Sequence, residues 1–143
     1  MKKIKLNKRL NINIFALVDD EDFEKLNQFN WTIQLGKSGI KYAKTQLING
    51  KFVYMHRIIL NAPKEEIIDH INRNGLDNRK SNLRFSNYQQ NAFNSKIPNN
   101  NTSGIKGVYW NKQKEKWQAQ IMVNQKNLYL GRFNDLKEAV KVR

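Results

Sequence analysis

Ile67-Ile68-Asp69-His70-Ile71-Asn72-Arg73-Asn74-Gly75-Leu76-Asp77-Asn78-Arg79-Lys80-Ser81-Asn82-Leu83-Arg84-Phe85 is the stretch on which the reading of this chain turns. It opens as a short apolar run that ends in two ionisable side chains, Asp69 and His70. Asn72 to Ser81 is rich in turn formers, and Asn82-Leu83-Arg84-Phe85 can form a second short strand. Beyond it, Ser86 or Asn87 can cap a helix, with Gln89 or Gln90 three residues on as the reciprocal partner. That helix carries Tyr88, Asn91 and Phe93, so the expected order is strand, loop, strand, helix.

The chemistry follows from residue types and spacing. Histidine occurs only at positions 56 and 70. His70 sits beside a polar, basic loop, where an imidazole can take a proton from water near neutral pH. Neighbouring strand residues point to opposite faces, so Asp69 and His70 do not share a target on a regular strand. An ion held by Asp69 and by the following helix resolves this if the strand ends or twists there. Asn91 is the best-placed helical partner, and an Asp and Asn oxygen pair suits a hard divalent ion such as Mg²⁺. An isolated Asp-His pair is most often two polar side chains at a strand end. The spacing argues otherwise, because His70, Asn82 and Asn91 lie 12 and 9 residues apart within elements of the required lengths. His56, beside Met55, Ile58, Ile59 and Leu60, reads as a packed or surface histidine. Arg57, Arg73, Arg79, Lys80 and Arg84 border the site, and their clustering points to phosphate contacts for at least two of them.

The 143 residues contain 26 Lys and Arg against 12 Asp and Glu, a formal net charge of +14. A fold does not need that excess, but a polyanionic partner does. Five of the acids fall between Asp19 and Glu24, and from Lys96 onward ten basic residues face three acidic ones. Zero cysteines exclude disulfides, zinc fingers and thiol nucleophiles. No apolar run approaches the roughly 18 residues of a membrane span, and Met1-Lys2-Lys3-Ile4-Lys5 lacks the apolar core of a secretory signal. A soluble, intracellular, polyanion-binding protein is expected.

Elsewhere, Asp19 or Asp20 can cap a short helix in which Phe23, Leu26 and Phe29 recur at helical spacing. Trp31 to Leu35 alternates as a strand does. Tyr42 to Leu47 and Phe52 to Met55 flank Asn49-Gly50, the signature of a two-residue hairpin turn. Residues 1–50 read as a β-rich scaffold. Ile97-Pro98-Asn99-Asn100-Asn101-Thr102-Ser103-Gly104 has almost nothing to bury and reads as a linker. After it, Val108 and Trp110 alternate with Tyr109 and Asn111. Trp117, Ala119, Ile121 and Val123 form one face, with Gln118, Gln120 and Met122 opposite. A turn is expected at Asn124-Gln125. Leu128 and Leu130 continue the apolar face, and Asn134 or Asp135 caps a final helix from Leu136. Trp110 and Trp117 read as core.

Ile68-Asp69-His70-Ile71-Asn72, Leu76-Asp77-Asn78-Arg79-Lys80-Ser81-Asn82-Leu83-Arg84 and Gln90-Asn91 together closely resemble the HNH endonucleases of the phage and homing type. Letters, spacing and element order agree. Tyr54-Met55-His56-Arg57 and Leu17-Val18-Asp19-Asp20-Glu21-Asp22-Phe23 resemble these proteins too. The resemblance implies a ββα-metal module in which His70 is the general base activating water. It makes Asp69 and Asn91 ligands of one catalytic divalent metal, Mg²⁺ with Mn²⁺ as a substitute, and has Asn82 hold the loop and the His70 backbone. It also implies the cytoplasm of a bacterial host as the setting.

Ser103-Gly104-Ile105-Lys106-Gly107-Val108-Tyr109-Trp110, Lys116-Trp117-Gln118-Ala119-Gln120-Ile121 and Leu128-Tyr129-Leu130-Gly131-Arg132-Phe133 resemble the ethylene-response-factor type of DNA-binding domain. In that family a three-stranded sheet lies in the major groove with a helix behind it. The alternation then puts Lys106, Tyr109, Asn111, Gln118, Gln120, Met122, Asn127 and Tyr129 on the groove face, where amides read adenine and lysine reaches guanine or phosphate. Plant members use several arginines there, so their sequence preference does not transfer.

The expectation is an α+β chain: a β-rich segment over 1–50, a nuclease module over 51–96, a linker over 97–104 and a DNA-binding domain over 105–143. The expected activity is metal-dependent nicking of double-stranded DNA by a monomer or weak dimer. The alternative is a non-catalytic DNA-binding protein with a decayed nuclease module.

Overall fold

The computed structural model describes residues 1–7, 13–36, 38–123 and 126–143, and the expected turn at Asn124-Gln125 lies outside them. The architecture is mixed α and β, with small antiparallel sheets and short helices. Two compact units divide the chain, Met1–Asn87 and Tyr88–Arg143.

In the first unit, β1 (Lys2–Lys5) pairs with β2 (Phe15–Val18), with Ile4 opposite Ala16. Each strand has only four residues, and the pair is held by what it buries: Ile4, Leu6, Ala16 and Val18 are all fully buried. Helix α1 (Asp20–Asn27) follows, with Asp20, Glu21 and Asp22 in its first turn where the helix dipole favours acids. Asp19 occupies the N-cap position in extended conformation but makes no side-chain cap bond to the helix. Trp31 is buried against this helix, its indole N–H donating to Leu26 O at 2.8 Å.

β3 (Thr32–Leu35), β4 (Lys41–Gln46) and β5 (Phe52–Tyr54) form a meander in that order. The β4–β5 turn differs from the expected two-residue form. Leu47 N donates to Lys51 O, so Ile48, Asn49 and Gly50 make a three-residue loop, with Gly50 at φ 78°. A left-handed glycine in the last loop position suits this longer turn as well as the shorter one. Helix α2 (Met55–Ile59) starts directly after β5. A hairpin of β6 (Ile67–His70) and β7 (Leu83–Ser86) closes the unit, joined by a loop that ends in a 3₁₀ turn at Lys80–Asn82.

One core joins β1 to β4, α1, α2 and the β6–β7 loop. Ile4, Leu6, Ala16, Val18, Leu26, Trp31, Ala43 and Met55 are its buried residues, and Ile33, Ile58, Ile59 and Leu76 pack against it. The expected division at residue 50 therefore falls inside a continuous core.

The second unit contains α3 (Tyr88–Asn94), the sheet β8 (Val108–Asn111), β9 (Lys116–Val123) and β10 (Lys126–Phe133), and α4 (Leu136–Lys141). Strand β9 is central. Val108, Ala119 and Ala139 are buried, with Trp117, Leu130, Phe133, Leu136 and Val140 packed around them. Asp135 caps α4, accepting from Lys137 N at 3.2 Å. Trp117 lies in this cluster as expected of a core residue, whereas Trp110 is 39% exposed and meets Trp117 edge-on. The stretch expected as a linker is folded onto β8. Asn101 Nδ2 donates to Ile105 O and Val108 O, and Ser103 Oγ donates to Val108 O at 2.6 Å. Side-chain amide and hydroxyl groups order this segment without apolar burial.

Candidate active site and nucleic-acid interface

The β6–β7 hairpin sets Asp69 opposite Arg84 and His70 opposite Leu83. Past His70 the chain turns at once, Arg73 N donating to His70 O with Arg73 at φ 61°. Asparagines build the loop. Asn72 Oδ1 accepts from Asn74 N, Asn74 Oδ1 from Leu76 N, and Asn72 Nδ2 donates to Asp77 Oδ2. Asn82 ties both ends together: its Oδ1 accepts from Asn72 N at 3.0 Å, its Nδ2 donates to Asp77 O at 2.7 Å, and its carbonyl accepts from Ile71 N. Short polar side chains thus supply the partners that a strand ladder would otherwise give.

The N-terminal segment braces this loop. Leu17 N donates to Leu76 O and Asn78 N to Leu17 O, both at 2.8 Å. Asp19 Oδ2 accepts from Lys80 N, and the Lys80 ammonium pairs with Glu21 and Asp22. The acidic run that stands out in the sequence therefore has a specific partner, the far end of the loop.

His70 and Asp69 are 5% and 6% exposed. The His70 ring meets the edge of His56 at 5.1 Å between centroids and Tyr42 at 5.7 Å, while His56 stacks on Tyr54 at 5.4 Å. His70 Nε2 lies 3.3 Å from Oδ1 of the buried Asn78. With that oxygen as acceptor, Nε2 carries the proton and the ring's lone pair is on Nδ1. Burial pushes the His70 pKa below its ordinary value, partly offset by the Asn78 hydrogen bond and the Asp69 and Asp77 charges. An imidazole neutral at pH 7 is the form a general base requires. Burial, then the proximity of Asp69 and Tyr54, raises the Tyr42 pKa, which keeps that phenol protonated.

His56 is held neutral more strongly, pushed down to about 3 by burial and by the neighbouring His70 and Arg57. Its stabilising contribution is complete above the unfolded value of about 6.5 and is lost as pH falls toward 3, over which it amounts to roughly 5 kcal/mol. Acid titration of thermal stability is expected to drop across that window, and His56→Gln is expected to flatten it. A His56→Gln protein with the wild-type acid profile would contradict the assignment.

The structure gives most of the basic residues bordering the site intramolecular partners. Arg84 donates to Asp69 Oδ2 through Nε at 3.0 Å and Nη2 at 2.6 Å. Arg79 chelates the buried Asp77 through Nε at 2.7 Å and Nη2 at 2.6 Å, which holds that carboxyl below the usual range. Arg57 donates to the carbonyls of Ala62, Pro63 and Glu66. Lys80 serves the acidic run, as described. Arg73 is exposed near the start of the loop, and among the described residues no ion pair involves it. Asn91 lies on α3 in the second unit.

In that unit, Lys106 Nζ donates to Ala92 O, Phe93 O and Ser95 Oγ near the end of α3. Asn111 donates to Gln118 across the sheet at 3.1 Å. The registers align Tyr109 with Gln118, Gln120 with Tyr129 and Met122 with Asn127, so these expected face residues are neighbours on the side away from α4's contacts with Val108 and Ala119. A β-bulge between Tyr129 and Gly131 then changes the alternation. It sends Leu130 into the core and sets Arg132 opposite Gln118, with its guanidinium 5.8 Å from the Tyr129 ring. Strict alternation alone does not place Arg132 on this face.

Residues 53–93 match the HNH endonuclease family, a span that takes in α2, the β6–β7 hairpin and most of β5 and α3. The chain is 40% identical to Protein 3.8 of Escherichia phage T7 over 78 residues, 54% of this chain and 64% of the phage protein. It is 33% identical over 102 residues to a protein of Acanthamoeba polyphaga mimivirus named as an uncharacterized HNH endonuclease, covering 70% of this chain and 53% of that one. The chain thus spans between about half and two thirds of the relatives it matches. No solved structure matches it. No helix among the described residues is long and apolar enough to cross a membrane.

Proposed function

We propose that this chain is a metal-dependent DNA endonuclease of the HNH homing type that hydrolyses a phosphodiester bond. The carrying observation is the buried His70, hydrogen-bonded to Asn78 and adjoining Asp69 inside the segment that matches HNH endonucleases. His70 Nδ1 takes a proton from water as the water oxygen attacks phosphorus. The bond to the 3′ oxygen breaks, leaving a 5′-phosphate and, once that oxygen is protonated, a 3′-hydroxyl. Asn82 fixes the loop that fixes His70, and Arg84 orients the Asp69 carboxylate.

Asp69 and Asn91 would hold a divalent ion, Mg²⁺ or in its place Mn²⁺. The donor chemistry fits: a hard ion bound by one carboxylate and one amide oxygen retains water and takes up substrate phosphate. Such an ion supplies positive charge where the phosphorane and the leaving oxygen become negative.

Recognition of duplex DNA falls to the sheet of the second unit, in the manner of ethylene-response-factor domains, through Lys106, Tyr109, Asn111, Gln118, Gln120, Asn127 and Tyr129, with Arg132 added by the bulge. Of the basic residues bordering the site, Arg73 is the one best disposed to touch the reacting phosphate, since Arg57, Arg79, Lys80 and Arg84 are engaged within their own unit. One active centre per chain nicks one strand, in the cytoplasm of the host that a phage or virus enters. End analysis of cut DNA tests this chemistry: nicks that DNA ligase reseals directly are expected, and 3′-phosphate ends would contradict it.

A further inference from the structure

The outer face of the β3–β4–β5 sheet is absorbed by none of these roles, yet it runs directly into the candidate active site. Ala43 and Thr45 on β4 are buried, and Ile33 packs on the core. The intervening residues Gln34, Tyr42, Lys44, Phe52 and Tyr54 share the opposite face, with Gln34 beside Tyr42 and Lys44 beside Tyr54 in register. Tyr42 is the junction. Its ring lies 5.7 Å from His70, 6.0 Å from His56 and 6.0 Å from Tyr54. Phe52 is 61% exposed, and Lys44 Nζ sits 4.4 Å from its ring centroid while donating to Gln34 Oε1.

Charge is complementary to a polyanion. No Asp or Glu occurs from Leu26 to Lys64, whereas that stretch carries Lys37, Lys41, Lys44, Lys51, Arg57 and Lys64. Among the described residues, no ion pair neutralises Lys44. The acids of this unit's N-terminal half are gathered instead at α1 and its N-cap, where they hold the loop. Lys44 lies two residues beyond Tyr42 along β4, ~7 Å at strand rise.

We propose that this face is a second DNA-contacting surface, which carries the duplex flanking the scissile phosphate. Lys44 meets a phosphate flanking the one at His70, and Phe52 and Tyr54 pack on the sugar-phosphate edge. The identity of the partner rests on the endonuclease reading.

Binding of a fluorescent duplex of mixed sequence, followed as a function of salt, tests the surface without requiring cleavage. Lys44→Gln is expected to weaken binding several-fold and to lower the slope of log affinity against log salt by about one. Lys44→Glu should deepen both effects, and Phe52→Ala, at an exposed site, should weaken binding with the slope unchanged. Lys25→Gln makes the same charge change on α1 and should alter neither; thermal melts check that each variant is folded. Wild-type affinity and slope in folded Lys44→Gln and Lys44→Glu proteins, beside a wild type that binds DNA, would overturn this surface and leave the endonuclease reading standing. Altered self-association in those variants at unchanged DNA affinity would assign the face to a second copy of the chain and overturn it equally. A wild type that binds no duplex at all would overturn both.

Discussion

His70→Ala is expected to slow single-turnover cleavage by about 10²–10⁴-fold, the usual worth of a positioned general base, with DNA affinity nearly unchanged. His70 is buried at the end of β6, with His56 and Tyr42 against its ring and Asn78 on its Nε2. It contributes one lone pair to the reaction and no charge to binding, since burial keeps it neutral at pH 7. The substitution also strands the Asn78 carbonyl and opens a void, so some loss of stability accompanies it. His70→Gln, which refills part of the space, separates the two effects: it should recover stability but not cleavage. A parallel loss of DNA binding in both folded variants would make His70 a structural residue.

Gly75→Ala is expected to disable the site through packing alone. A Cβ at position 75 would come within 2.5 Å of Lys41 O and 2.6 Å of the Tyr42 ring. The carbonyl is backbone and cannot step aside, so either the loop or β4 must move. Overpacking of this kind costs about 1–3 kcal/mol, and for a unit of this size each kcal/mol lowers the melting temperature by roughly 4–8 °C. The ring that is displaced is the one walling His70, so cleavage should fall with stability. Gly75→Ala melting and cutting as wild type does would show that the loop does not rest on the sheet as described.

The β6–β7 hairpin was legible because each signal is local: an apolar run ends in Asp69-His70, turn formers follow, and a second short strand returns. The three-stranded alternation of the second unit was legible for the same reason. Strands β1 and β2 were not, since Lys2–Lys5 and Phe15–Val18 are too short for a period to register and acquire their order from a shared core. The bulge beside Leu130 hid Arg132, because a strict two-residue alternation leaves no room for an extra residue. Asn49-Gly50 marked the right turn but not its length, a left-handed glycine being common to both loop types.

At the site, residue types were legible and their partners were not. Arg57, Arg79, Lys80 and Arg84 looked like a phosphate cradle in sequence. The structure has them holding carbonyls at 62–66, Asp77, the acidic run and Asp69. Lys80 and Asp19 are 61 residues apart, beyond the reach of any local pattern. Asn78, Tyr42 and Gly75 were missed for a related reason. Their importance lies in what they touch across the unit, and the one hint was the density of loop-forming asparagine and glycine between His70 and Asn82.

Supercoiled plasmid is the most direct substrate on which to test metal-dependent cutting of DNA by this chain. Incubated with wild-type protein and Mg²⁺, the plasmid should convert to open circle, and excess EDTA should abolish the conversion. Plasmid that stays supercoiled in Mg²⁺ and in Mn²⁺, while the protein demonstrably binds it, would contradict the claim and leave a DNA-binding protein whose HNH segment does not cut.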